Sequence, residues 1–555
     1  MTISTIDLAS FTSGNKGFII QGAMASDYLG QSVSSAGDVN GDGYDDIIIG
    51  APDFSATWNQ PRTAAGTAYV IFGKASGFNT IDLASFTSGS SGFIIQGAVV
   101  GDGTGISVSG AGDVNGDGYD DIIVGSDYAD PKGRSDAGTA HVIFGKASGF
   151  STIDLASFTS GSGGFIIQGA AAGDQLGKSV SGAGDVNNDG YADVIVGAPY
   201  ADPNSRSSAG AAYVIFGKAS GFNTIDLASF ASGFSGFIIQ GAKASDFAGS
   251  SVSGAGDVNG DSYDDIIVGS SWADPNGRSD AGTAHVIFGK ANGIDTTGGI
   301  ATSVFRTIDL ASFTSGSSGF IIQGAEADDL TGDSVSKAGD VNGDSYDDII
   351  IGSRWANPKG RSDAGTAHVI FGKADDFRTI DLASFTSGSS GFIIQGAKAS
   401  DLTGTSVNSA GDINIDGYDD IIIGAVRAGT AHVIFGKADD FRTIDLASFT
   451  SGSSGFIIKG AVAGDSTGAS VSSAGDINGD GYDEIIIGSY SDPEGRSDAG
   501  AAYIIFGSTT IVTGTIYNDT FIATSIPERF VGNGGVDTVS YENSLSGVNV
   551  DFATG

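Results

Sequence analysis

The 555-residue sequence has no cysteine, two methionines, three tryptophans and nine prolines. Without cysteine there can be no disulfide, thiolate metal site or cysteine nucleophile. Basic residues are also scarce, 26 Lys and Arg against 65 Asp and Glu, which leaves a formal net charge of −39. Such a surface repels nucleic-acid phosphates and anionic lipid, so neither nucleic acid nor membrane insertion is expected. Its natural counterparts are cations, above all calcium. No apolar run approaches the ~18 residues that a bilayer crossing needs. Met1-Thr2-Ile3-Ser4-Thr5 offers neither the basic nor the apolar region of a Sec-type signal peptide. No segment shows a capped 3.6-residue apolar period, so helices are not expected.

What is present is glycine, at 90 positions, and enough apolar residues (40%) to build a core. The chain is one unit copied seven times. Thr-Ile-Asp-Leu-Ala-Ser-Phe begins at Thr5, Thr80, Thr152, Thr224, Thr307, Thr379 and Thr443. A Gly-Phe-Ile-Ile run follows each copy. An acidic element then opens at Asp38, Asp113, Asp185, Asp257, Asp340, Asp412 and Asp476, at intervals of 75, 72, 72, 83, 72 and 64 residues. An insertion from Asn292 to Phe305 explains the long interval. The short one reflects a trimmed loop at Ala425-Val426-Arg427.

Each unit holds four short apolar runs, in the first unit 17–21, 32–36, 46–50 and 67–72, bounded by Gly, Asp and Asn. Runs of this length and composition read as strands. One such sheet cannot bury both faces alone, so neighbours must stack. The expected fold is all-β, a seven-bladed β-propeller of four-stranded blades. With the Ser-Val-Ser run innermost, the strand Phe18–Gln21 pairs with the last blade and closes the ring without a disulfide.

The densest chemistry is Asp38-Val39-Asn40-Gly41-Asp42-Gly43-Tyr44-Asp45-Asp46. Side-chain oxygens at positions 1, 3 and 5 can converge on one ion when a glycine at 6 folds the loop back. Position 7 adds a backbone carbonyl and position 9 a carboxylate. A shell of hard oxygens suits Ca²⁺ better than Mg²⁺ or zinc. Position 8 is Ala192 in the third unit while position 9 stays Asp193, so position 9 is the ligand and position 8 lies outside the inner shell. An EF-hand or dockerin loop needs an acidic residue at position 12. Here that position is Ile49, Val124, Val196, Val268, Ile351, Ile423 or Ile487.

These loops, each followed by an Asp-Ile-Ile-Ile-Gly type strand, resemble the FG-GAP repeat propeller that forms the head of integrin alpha subunits. The resemblance spans residues 1 to about 507. The naming motif is intact at Gly50-Ala51-Pro52 and Gly197-Ala198-Pro199 but worn at Gly125-Ser126-Asp127 and Gly269-Ser270-Ser271. It implies calcium loops on the lower face between the first two strands of each blade, and partners on the upper face. It also implies fewer than seven filled loops, so seven candidate sites is a departure.

Carried across, the ligand sets are Asp38, Asn40, Asp42, Tyr44 and Asp46, then Asp113, Asn115, Asp117, Tyr119 and Asp121. The third and fourth are Asp185, Asn187, Asp189, Tyr191 and Asp193, and Asp257, Asn259, Asp261, Tyr263 and Asp265. The fifth and sixth are Asp340, Asn342, Asp344, Tyr346 and Asp348, and Asp412, Asn414, Asp416, Tyr418 and Asp420. The seventh is Asp476, Asn478, Asp480, Tyr482 and Glu484. Each tyrosine enters through its backbone carbonyl. Ser262 and Ser345 replace the turn glycine, so those two sites are expected to be weaker.

A second recurring loop joins the second and third strands and reaches the opposite rim. It pairs Tyr128 with Arg134, Tyr200 with Arg206, Trp272 with Arg278, Trp355 with Arg361, and Tyr490 with Arg496. Aromatic plus arginine is the composition of binding hot spots. Alternatively, the arginines brace their own loops. His141, His285, His368 and His432 share one repeat slot with Tyr69, Tyr213 and Tyr503, which reads as packing.

Beyond Gly507 the composition changes. Gly532-Asn533-Gly534-Gly535-Val536-Asp537-Thr538-Val539 resembles the nonapeptide of repeats-in-toxin β-rolls. The expected organisation is a propeller over 1–507 and a truncated calcium-binding β-roll segment over 508–555. The expected function is a calcium-stabilised extracellular adhesion propeller, not an enzyme. It would be secreted or on the cell surface, through a type I route, and recognise a protein or glycan through its upper face. The alternative is a secreted hydrolase of polysaccharide or phosphoester.

Overall fold

The computed structural model describes residues 5–53, 65–291, 306–462, 464–490 and 497–507. In the tail it describes the strands Thr510–Thr513, Thr520–Ile522, Glu528–Val531 and Thr538–Ser540. The insertion 292–305, Arg496 and residues 532–537 of the nonapeptide lie outside the described residues.

Seven sheets form the body, each with five strands rather than the four expected. In blade 1 the order from the axis outward is Ser32–Gly37, Asp46–Ala51, Thr67–Ile71, Gly92–Gln96 and Ile153–Asp154. The first four run antiparallel and the fifth joins in parallel, Ile153 opposite Ile95. Each blade therefore draws on three successive sequence units. The fifth strand is only two residues long, too short to leave a periodic signal in the sequence.

This offset closes the ring. Gly17–Gln21 is the fourth strand of blade 7, with Phe18 opposite Ile504, and Ile81–Asp82 is its fifth. Ile6–Asp7 supplies the fifth strand of blade 6, beside Ile458. The chain start thus clasps two blades.

The core lies between blades. Every residue of the second strand Asp46–Ala51 is buried, which is why its Ile-Ile-Ile run does not alternate. On the face of blade 1 turned to blade 2, Ile48, Val70, Phe93 and Ile95 pack against Val108, Ile122 and Val124. The innermost strands carry Ser, Gly and Ala because seven of them converge on the axis. They line a central channel of about 600 Å³.

Candidate functional site

Each acidic loop is the hairpin between the first two strands of its blade. A β-bulge sets its entry: Gly37, at φ 69°, faces Asp46 across a register shift. Position 1 organises the turn. Asp38 Oδ1 accepts from the N–H groups of Gly41 (2.7 Å) and Asp42 (3.0 Å), and Oδ2 from Gly43 (2.9 Å). Asp42 Oδ1 accepts from Tyr44 N–H. The second loop repeats the pattern around Asp113 and Asp117, and the seventh around Asp476 and Asp480.

Position 9 is fully buried. Asp46 Oδ2 accepts from Val39 N–H and Oδ1 from Gly73 N–H, which anchors the loop to the end of the third strand. Burial pushes this carboxyl up to about 8, despite those two bonds, and the nearby Asp42 and Asp38 charges add to the rise. Asp121, Asp265 and Asp348 are likewise raised to about 8, and Asp193 and Asp420 well above the usual range. In the seventh loop the longer Glu484 reaches further. Carboxylate oxygens of Asp476, Asp480 and Glu484 lie within 4.8 Å of one another. Burial and the same like charges raise Glu484 to about 9.

This donor set fits a hard divalent cation. Three carboxylates and an amide oxygen share each loop, and their mutual repulsion is what a bound cation would relieve. Two of the position-3 amide oxygens, Asn187 Oδ1 and Asn414 Oδ1, are buried without a hydrogen-bond donor. Buried acceptors of this kind call for a partner.

Two roles in these loops escaped sequence reasoning. Position 8 ties neighbouring blades: Asp264 of blade 4 accepts from the N–H of Asp185 of blade 3 at 2.7 Å, and Asp347 of blade 5 from Asp257 of blade 4 at 2.8 Å. The position-7 ring also crosses between blades. A Cβ on Gly41 would meet the Tyr119 ring at 2.4 Å, so position 4 is usually glycine. The exceptions, Asn188 and Ile415, take φ of 53° and 54°. Ser262 and Ser345 stand at φ 70° and 72°, the left-handed backbone that glycine adopts elsewhere in the series.

The second-to-third strand loops lie on the opposite face, as antiparallel connectivity requires. Their aromatics stay in solvent: Tyr128, Tyr200, Trp272 and Trp355 are each exposed. Their arginines do not. Arg134 pairs with Asp226 at 2.8 Å, Arg206 with Asp309 at 2.9 Å, Arg278 with Asp381 at 2.8 Å and Arg361 with Asp445 at 2.9 Å. Each aspartate sits on the fifth strand of the same blade. The expected aromatic–arginine pairs therefore separate into exposed rings and loop braces. Tyr490 is half-buried beside Tyr28, with centroids 6.3 Å apart, and its partner Arg496 lies outside the described residues.

The histidine slot is packing. His141 meets Phe158 edge-on at 5.8 Å, and Tyr213 meets Phe230 likewise at 6.4 Å. Burial lowers all four histidines to about 4, so they are neutral at physiological pH.

The FG-GAP repeat family matches residues 29–71, 104–143, 177–215, 248–287, 331–370 and 467–505. Blade 6, with its trimmed loop and Ile415, falls outside these segments. The chain is 33% identical over 266 residues to integrin alpha pat-2 of Caenorhabditis elegans, covering 45% of this chain and 18% of that protein. It is 30% identical over 252 residues to integrin alpha-PS2 of Drosophila melanogaster, covering 44% and 15%. A phosphatidylinositol-glycan-specific phospholipase D of Bos taurus is 31% identical over 166 residues, covering 30% and 18%. The chain spans less than a fifth of the length of these relatives. The chain thus carries six FG-GAP repeats within a closed ring of seven blades.

Proposed function

We propose that the chain is a calcium-stabilised extracellular propeller that binds a protein or glycan partner through its upper face. The observation that carries this is the recurrence of one oxygen-rich hairpin on one face of all seven blades, with buried carboxylates at position 9 raised by their neighbours. Bound calcium would supply positive charge that holds these carboxylates ionised at neutral pH. Position 1 fixes the turn, position 9 anchors it to the third strand, and position 8 ties it to the next blade. At calcium tenfold above Kd, linkage contributes about 1.4 kcal/mol per filled site. Cation binding thus adds to ring stability and leaves the opposite face for partners. The similarity to integrin alpha subunits supports an extracellular binding role.

The tail pairs Thr510–Thr513 with Glu528–Val531 and Thr520–Ile522 with Thr538–Ser540, both in parallel and both offset by two nonapeptides. That pairing supports the reading of 508–555 as a β-roll segment, and with it type I secretion.

A hydrolase is the second reading, favoured by the phospholipase relative. Against it stand four histidines locked in the packing slot. The test is a thermal melt with calcium, with chelator and with calcium restored, alongside a protein and glycan binding array. A midpoint that chelation leaves unmoved would overturn the calcium role. Turnover of a phosphodiester substrate panel would favour the hydrolase.

A further inference from the structure

The seven units are near copies, so the positions where they diverge are informative. Two upper-face columns vary most. One precedes the innermost strand and reads Gln31, Ile106, Lys178, Ser250, Asp333, Thr405 and Ala469. The other follows the second strand and includes Asp127, Pro199, Ser271 and Arg354. Members of both columns from blades 3, 4 and 5 line one cavity of about 420 Å³. That volume falls within the range of ligand pockets, roughly 300–1,000 Å³.

Three rings form its wall. Tyr200 meets Phe247 at 5.2 Å and 76°, and Phe247 meets Trp272 at 6.1 Å and 66°. The same slot holds Tyr28, Gly103, Gln175, Leu330, Leu402 and Ser466 in the other blades, so Phe247 shares an aromatic ring there with blade 1 alone. Tyr200 and Trp272 remain 42% and 47% exposed, so ring surface is open to a ligand.

The polar groups define what that ligand is. Both cations at the pocket are already neutralised: Lys178 pairs with the buried Asp127 at 3.2 Å, and Arg354 with Asp333 at 3.1 Å. With each cation matched by a carboxylate, these four groups carry no net charge to select a charged ligand. Hydrogen-bonding capacity remains, because Ser250 Oγ and Arg354 Nε are buried with no partner. Uncharged ring faces bounded by unused polar groups fit a polyol that presents an apolar face and many oxygens.

We propose that this cavity between blades 3 and 5 is a binding site for an uncharged oligosaccharide. It rests on the reading of the upper face as the recognition face and names the ligand class there. A sugar ring would lie on Trp272 and Tyr200, with its hydroxyls meeting Ser250 Oγ and Arg354 Nε.

The test titrates the calcium-loaded full chain with cellotriose, maltotriose and the anionic sialyllactose, reading tryptophan fluorescence and heat. A neutral trisaccharide is expected to bind with Kd below about 1 mM. Trp272→Ala should weaken that binding about tenfold or more, and Phe247→Ala likewise. Val99→Ala, at an exposed position outside the cavity, should leave it unchanged. A calcium-dependent melting midpoint in each variant shows that the ring is intact. No saturable binding at about 10 mM, preference for sialyllactose, or equal binding by Trp272→Ala would overturn the proposal. Loss of the calcium shift itself would instead strike the broader reading of the propeller.

Discussion

Asp120 of blade 2 accepts a 2.9 Å hydrogen bond from the backbone N–H of Asp38 on blade 1. The same bond joins Asp45 to Asp476, Asp264 to Asp185, Asp347 to Asp257, Asp419 to Asp340 and Asp483 to Asp412. At the junction of blades 2 and 3 position 8 is Ala192, and there the backbone bond from Ala192 N–H to the Asp113 carbonyl carries on alone. These carboxylates are interblade clamps beside the candidate metal loops.

Removing a clamp leaves a partly buried N–H without its acceptor. Asp264→Ala is expected to destabilise the ring by about 1–3 kcal/mol. The denaturant midpoint should fall, while the equivalent change at the exposed Asp375 should alter stability by less than about 0.5 kcal/mol. Equal effects at the two positions would contradict the clamp.

The raised position-9 carboxylates fix the sign of a pH effect. Their folded-state pKa of about 8 for Asp46, Asp121, Asp265 and Asp348 lies above the unfolded 3.8. The folded metal-free ring therefore holds more protons than the unfolded chain between those values. The stability they contribute is complete below pH 3.8 and is lost as pH rises towards about 8. Chelated protein should lose stability from this source between pH 5 and 8, and the added stability from calcium should grow over the same window. Melting with and without chelator across that range checks both slopes.

Backbone strain marks particular loops. Ile415 is β-branched at φ 54°, a conformation that costs a non-glycine residue about 1–2 kcal/mol. Ile415→Gly should raise stability by about 1 kcal/mol, and Ser262→Gly and Ser345→Gly by somewhat less. Calcium affinity of the fourth and fifth loops should rise with the serine changes, which titration calorimetry on single-loop variants would show.

The N-terminal clasp is a core element. Phe18 is 1% exposed and stacks on Phe78 at 4.8 Å, while its backbone pairs with Ile504. Phe18→Ala should cost about 3–5 kcal/mol. Removing residues 1–21 should abolish the cooperative transition, because blade 7 loses its fourth strand. A truncated chain that melts like the intact one would refute the clasp.

The sequence by itself determined the number of blades, their β character and the placement of seven oxygen-rich turns. Those features are local and are written into every copy: an Ile-Ile-Ile run, a bulge glycine, carboxylates at positions 1, 5 and 9. The histidine slot was legible for the same reason, since His141 and Tyr213 occupy one repeat position. Only the tertiary structure decided which unit lends its edge to which blade. A two-residue strand such as Ile153–Asp154 carries no period and is defined solely by its pairing with Ile95. The fate of the arginines was decided there too, because Arg278 and Asp381 lie 103 residues apart and meet only when a later unit docks on blade 4. The convergence of Tyr200, Phe247 and Trp272 has the same origin, closure of the ring, which brings diverged positions of separate copies to one mouth.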